Sequence, residues 1–129
     1  MKRFILSREV LPEHIDELGH VNNVQYLYWV QEAAHVHWKE LTKNTKETLG
    51  VWVVRSHSIT YKQPAYVGEF LTLQTFVNGS RGVLSERIVE IYNADKKLVA
   101  QCSTQWCYLN PVTGQAQKIP RIIIDLFEN

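Results

Sequence analysis

Apolar and polar positions alternate with two different periods along this chain, and the change of period divides it. Residues 4–10 read as a short strand, and residues 11–22 form an irregular connection containing Pro12 and Gly19. From about 24 to 42 the period is helical. Leu27, Val30, Ala34, Trp38 and Leu41 recur on one face, and Gln25, Glu32, His35 and Lys39 mark an opposite polar stripe. The first half of this helix, residues 24–30, is apolar almost all round, which predicts burial over most of its circumference. Asn22 or Asn23 suits its N-cap, because an Asn side-chain oxygen can accept from the first helical N–H groups. Gly50 ends the polar stretch that follows.

Beyond Gly50 the texture is that of β-structure. Residues 51–61 are rich in Val, Ile, Thr and Trp, and Gln63-Pro64-Ala65 interrupts them because Pro donates no ladder hydrogen bond. Strands follow over 69–78, with Leu71, Leu73 and Val77 on one face, and over 83–92. The segment 98–109 alternates most cleanly: Leu98, Ala100, Cys102, Trp106 and Tyr108 against Gln101, Ser103 and Gln105. Turns are expected at 78–82, 93–97 and 110–114, and Pro120 opens a last short helix over 121–128 or a final extended piece. The order is strand, long helix, then four strands on short loops. It predicts an α+β fold in which an antiparallel meander of about five strands curls around one central helix. Several strands carry apolar groups on both sides, so the outer sheet face is expected to seek a second subunit.

Composition narrows the function classes. The 129 residues amount to one domain, expected over 1–129, with 45% apolar and 21% charged residues. A net charge of +1 with no block of like charges gives no nucleic-acid-binding signature. The apolar part of the N-terminus is too short for a secretory signal, and no run approaches the ~18 apolar residues of a membrane span, so a cytoplasmic, membrane-free location is expected. Cys102 and Cys107 lie in one strand, roughly 16 Å apart when extended and on opposite faces, which excludes a bridge between them. Both read as small apolar fillers.

The candidate chemistry sits at residues 16–23, Asp-Glu-Leu-Gly-His-Val-Asn-Asn, just ahead of the helix. One reading is local: an Asn caps the helix, Asp16 favours its dipole and Gly19 permits a tight bend. The other makes Asp16 a general base or nucleophile, with the helix N-terminus as the site that stabilises an oxyanion. His20 is placed to orient Asp16, to contact a substrate or to brace the loop. His14, His20, His35 and His37 do not form a metal set: His35 and His37 are two apart on a helix, and no Cys joins at ligand spacing. Gly-x-Ser-x-Gly and Gly-rich phosphate loops are absent.

Asp16-x-x-Gly19-His20-Val21-Asn22-Asn23-x-x-Tyr26-Leu27 resembles the signature of acyl-CoA thioesterases related to 4-hydroxybenzoyl-CoA thioesterase, of the hotdog fold. Tyr61-x-x-Pro64-Ala65-x-x-Gly68-Glu69, Asn110-Pro111-x-Thr113-Gly114 and Ile119-Pro120 fit the same family in the same order. The resemblance implies a thioester hydrolase acting on an acyl-CoA, working as a homodimer or homotetramer without metal or organic cofactor. It implies that Asp16 is the catalytic carboxylate, that the backbone N–H near Asn23 or Val24 polarises the carbonyl, and that His20 assists. Gly19, Asn22, Val24, Tyr61 and Pro64 would then surround the substrate, Tyr61 and Pro64 as pocket wall. Arg55, Lys62, Arg81 and Arg87 are candidates for the CoA phosphates, and Glu13 and Glu69 read as surface or turn carboxylates. The benzoyl-type members have an aromatic residue where this chain has Asn23. Plant acyl-carrier-protein thioesterases share the His-Val-Asn-Asn run but carry Asn at the position of Leu18. The rival readings are an acyl-carrier-protein thioesterase, a non-catalytic hotdog protein that binds an acyl ligand, and a hotdog hydratase or dehydratase.

Overall fold

A helix of the length read above spans about 30 Å, and the sheet that covers it must be wide and curved enough to hold its inner faces. The computed structural model, which describes residues 2–128, has this form. Met1 and Asn129, the ends of the expected domain, lie outside the described residues. The elements are β1 (Phe4–Glu9), α1 (Asn23–Thr42), β2 (Val51–Tyr61), β3 (Phe70–Arg81), β4 (Leu84–Tyr92), β5 (Leu98–Leu109) and α2 (Arg121–Glu128). The strands form one antiparallel sheet in the order β1-β3-β4-β5-β2. This is the hotdog fold, a long helix held in a curved five-stranded sheet, as expected, and the C-terminal segment is a helix.

The strand order corrects one expectation. Only β3, β4 and β5 form a meander; β2 does not pair with β3 but lies at the far edge beside β5. Residues 62–69 carry the chain from one side of the sheet to the other past the N-terminal end of α1. They are tied there by Val21 N–H to the Ala65 carbonyl (2.9 Å) and Val10 N–H to the Glu69 carbonyl (2.8 Å). Pro64 sits in this crossing, where no ladder partner is required of it. Register shifts at Val54/Ser56 in β2 and Val77/Gly79 in β3 insert an extra residue into each strand, which increases the local twist that bends a sheet around a helix.

The helix is covered less completely than its apolar first half implies. Tyr26, Trp29, Val30, Ala33, Ala34 and His37 are buried, while Val24 and Tyr28 are 54% and 64% exposed. The sheet wraps the inner sides and leaves this stripe open. The cysteines are free, Cys102 buried and Cys107 half-buried, as their opposite faces require.

Two apolar clusters lie along α1. The first gathers Val10, Val21, Trp29, Leu71, Leu73, Val89 and Ile91 around its N-terminal half. The second joins Val77, Tyr108, Ile119, Ile123 and Phe127 with Trp38 and Trp52 near its C-terminal half. A buried polar layer made by Thr75, Arg87, Thr104 and His37 separates them. Arg87 Nη1 donates to His37 Nδ1 (2.8 Å) and to Thr75 Oγ1 (3.0 Å). A guanidinium only donates, so His37 must be neutral with an unprotonated Nδ1. Its ring stacks on Phe4 with centroids 5.0 Å apart. Burial, reinforced by the neighbouring Arg87, pulls its pKa down from 6.5 to about 4. In the unfolded chain His37 takes up a proton as pH falls through 6.5, whereas the folded chain excludes that proton down to about pH 4. The His37 contribution to stability is therefore present above pH 6.5 and declines as pH falls from 6.5 to about 4. Urea unfolding across this window should show a midpoint that falls with pH, and His37→Gln, which keeps an acceptor for Arg87, should flatten that part of the slope. An unchanged slope in the variant would contradict the assignment.

Candidate active site

The connection before α1 is built from backbone hydrogen bonds that a short Asp-to-Asn run can close on itself. Ile15 and Val21 form an isolated antiparallel bridge. Within it, Asp16 N–H donates to the His20 carbonyl (3.1 Å) and Gly19 N–H to the Asp16 carbonyl (3.1 Å). Gly19 closes this turn at φ 85°, a left-handed conformation that costs glycine little. The Asp16 side chain joins in through Oδ1, which accepts from Leu18 N–H at 2.9 Å. Oδ2 has no partner among the described residues. Asp16 is half-buried, fixed at one oxygen and free at the other.

The helix start is equally specific. Asn22 is the N-cap: its backbone is extended and its Oδ1 accepts from Val24 N–H at 3.0 Å. Gln25 N–H donates to the Asn22 carbonyl at 2.9 Å. Asn23 N–H takes no partner among the described residues. Of the two donors named from the sequence, Val24 N–H is occupied by the cap, and Asn23 N–H, at the positive end of the helix dipole, has no partner among the described residues.

Asn23 borders a cleft of about 540 Å³, partly open to solvent, with His20, Tyr26, Tyr61, Lys62 and Pro64 among its walls. Four of the expected site residues, His20, Asn23, Tyr61 and Pro64, thus meet at one cleft. Asp16, Gly19, Asn22 and Val24 do not line it; the first three shape the turn and helix start beside it, and Val24 faces outward. Tyr61 Oη donates to the Asn23 carbonyl at 3.2 Å, which ties the end of β2 to the first residue of the helix. His20 Nδ1 lies 3.3 Å from the Val21 carbonyl, a contact in which Nδ1 carries a proton and donates.

Tyr26 belongs to the motif, and the sequence assigns it no role. Its hydroxyl is buried without a partner among the described residues. Burial first, then the nearby Glu69 and Tyr61, push its pKa up to about 12, so it remains an O–H donor at the cleft wall. The signal for it was its place one helical turn past Asn22, facing inward. Of the candidate phosphate contacts, Lys62 lies at the cleft, whereas Arg87 is only 4% exposed and is bound to His37 and Thr75, so it cannot meet a CoA phosphate. Glu69 is a turn carboxylate, its Oε1 accepting from Tyr66 N–H at 3.0 Å.

The turn that carries Asp16, the capped helix start and the cleft form one candidate site, and the comparisons with known proteins bear on its class. Residues 10–125 match the model of the thioesterase-like superfamily. The chain belongs to that superfamily, and by that membership to the thioester hydrolases. No curated protein sequence matches it. Among solved structures it is similar to a predicted thioesterase from Bacillus stearothermophilus, at 20% identity and TM-score 0.86, covering 98% of this chain and 95% of that one. It is also similar to the DHNA-CoA thioesterase from Staphylococcus aureus, at 20% identity and TM-score 0.83, covering 99% and 88%. A third is a 4-hydroxybenzoyl-CoA thioesterase mutant in complex with 4-hydroxybenzoyl-CoA, at 13% identity and TM-score 0.86, covering 98% and 99%. At these identities the likeness is one of fold.

The cap predicts a measurable cost. Asn22→Ala should destabilise the protein by about 1 kcal/mol in urea unfolding. Because Val24 N–H then loses its acceptor, Asn22→Ser, which can still cap, should restore most of the loss.

Proposed function

We propose that this chain hydrolyses acyl-CoA thioesters, with Asp16 as general base or nucleophile and the Asn23 N–H as oxyanion donor. The observation that carries the reading is the unpartnered Asn23 N–H at the cleft, next to a turn that holds Asp16 by one oxygen and leaves the other without a partner. In the water route, Asp16 removes a proton from water as the water oxygen bonds to the thioester carbon. The carbonyl oxygen gains charge toward Asn23 N–H, and collapse breaks the C–S bond to leave acid and CoA thiol. In the covalent route, a carboxylate oxygen of Asp16 bonds to the same carbon, CoA leaves, and water hydrolyses the anhydride. Both routes use the same carboxylate and the same donor. His20 assists at the cleft, and Tyr61 and Pro64 are wall. Two of the solved thioesterases whose fold this chain shares are named for acyl-CoA substrates, which supports CoA as the thiol.

We read residues 1–129 as one thioesterase domain that works as a homo-oligomer. β2 is an eleven-residue edge strand with only Arg55 charged, and its Val51 and Val53 are 47% and 42% exposed. An edge this long and apolar is ordinarily covered by another strand, and a second β2 is the self-complementary choice. Among the described residues no helix is long and apolar enough to cross a membrane, which is compatible with the cytoplasmic location proposed.

Asp16→Asn should keep the fold, by circular dichroism and thermal midpoint, and lower thiol release from a panel of acyl-CoA esters by about 100-fold or more. Unchanged turnover removes Asp16 from the chemistry. Wild-type protein that binds the panel without releasing thiol would instead support a non-catalytic acyl-ligand-binding protein.

A further inference from the structure

The other end of α1 holds a cavity that the reaction above does not use. It lies between the C-terminal half of α1, the inner sheet face and α2, with about 380 Å³ of empty space, part of it open to solvent. Trp38, Trp52, Trp106 and Phe127 form aromatic walls, and Arg87 and Ser85 supply polar atoms. Trp38 stands fifteen residues beyond Asn23, about 22 Å along the helix, so this is not the cleft at the helix start.

Arg87 is buried, yet no carboxylate lies within ion-pair distance of it among the described residues, where the ion-paired cations are Arg3, Arg8, Lys43 and Arg121. Buried guanidinium groups ordinarily have a counter-ion. Both bonds it makes use Nη1, so its Nε and Nη2 donors meet no acceptor among the described residues. Burial lowers its pKa only to about 10, so the charge persists at neutral pH. The Trp106 indole walls the same cavity, its own Nε1 closed off from the open space and without an acceptor. Ser85, directly across the β4–β5 ladder from Trp106, accepts from Ser80 Oγ at 3.0 Å and keeps its own proton to give. The cavity therefore presents one buried positive charge and several donors without acceptors, between aromatic walls. Acceptor-only, singly negative and apolar elsewhere describes a monocarboxylate; a dianion would leave excess charge against a single cation.

We propose that this cavity binds a small monocarboxylate with an apolar or aromatic body, its oxygens accepting from Arg87 and its body lying among the tryptophans. The site does not rest on the thioester-hydrolysis reading and stands or falls separately from it.

Sodium benzoate is the probe and neutral benzamide its control, observed through the indole N–H resonances of the four tryptophans in ¹⁵N-labelled protein. Trp106→Phe identifies the Trp106 signal by its loss. Benzoate should shift that signal, as a ring bound against the Trp106 wall would, and bind about ten-fold or more tighter than benzamide, the scale of one charge-assisted hydrogen bond. Arg87→Met should remove this preference, and Trp106→Phe should weaken benzoate by several-fold. Asp16→Asn should bind benzoate as the wild type does. Equal binding of benzoate and benzamide, an unmoved Trp106 signal, or loss of binding in Asp16→Asn would overturn the proposal. Should Arg87→Met fail to fold, the benzamide comparison and Trp106→Phe decide it.

Discussion

Everything in this protein is arranged around the burial of one twenty-residue helix against the concave face of a sheet. A sheet of five strands is about 19 Å wide, and a flat one would touch the helix along a single line. The extra residues at Arg55 and Asn78 bend β2 and β3, and the curved sheet then reaches several sides of the helix at once. Because α1 is held along its length, its N-terminal end is fixed in space, and with it the cap at Asn22, the unpartnered N–H of Asn23 and the turn that carries Asp16. The candidate site is attached to an element held along its length.

The same helix passes through two environments. Around its first half the core is apolar and closes against the crossing at residues 62–69. Around its second half, past the polar layer of His37, Arg87, Thr75 and Thr104, the packing is aromatic and less complete. Placing a guanidinium there forces His37 to remain neutral and draws the two residues into one unit, since a protonated His37 would face Arg87 as a like charge. One interior thus carries two chemically distinct ends, one with backbone donors near the turn of Asp16 and one with side-chain donors and, among the described residues, no carboxylate within ion-pair distance of its guanidinium.

Much of this was legible in the chain. The helical stripe, the four β-segments and the turn residues placed the elements within a few residues, because each signal depends on local spacing. The motif from Asp16 to Leu27 pointed to the turn and helix start as the candidate site. What was not legible depended on pairing at a distance. Short loops between strands suggested a simple meander, yet β2 pairs with β5, because Pro64 and its neighbours cross the helix end and hydrogen-bond there to Val21 and Val10. Arg87 reads as a surface cation like any other in an alternating strand. Only the registers of β3, β4 and β5 turn it inward beside Thr75 and His37.

The amino-acid sequence by itself determined the helix, the strands and the residues that meet at its start, since capping, periodicity and turn chemistry act over a few positions. The tertiary structure alone decided which N–H at that start is free, which strand is left as an edge, and which cation is buried without a counter-ion. Those outcomes depend on which donors already have acceptors, and that is fixed only when segments far apart in the chain are brought together.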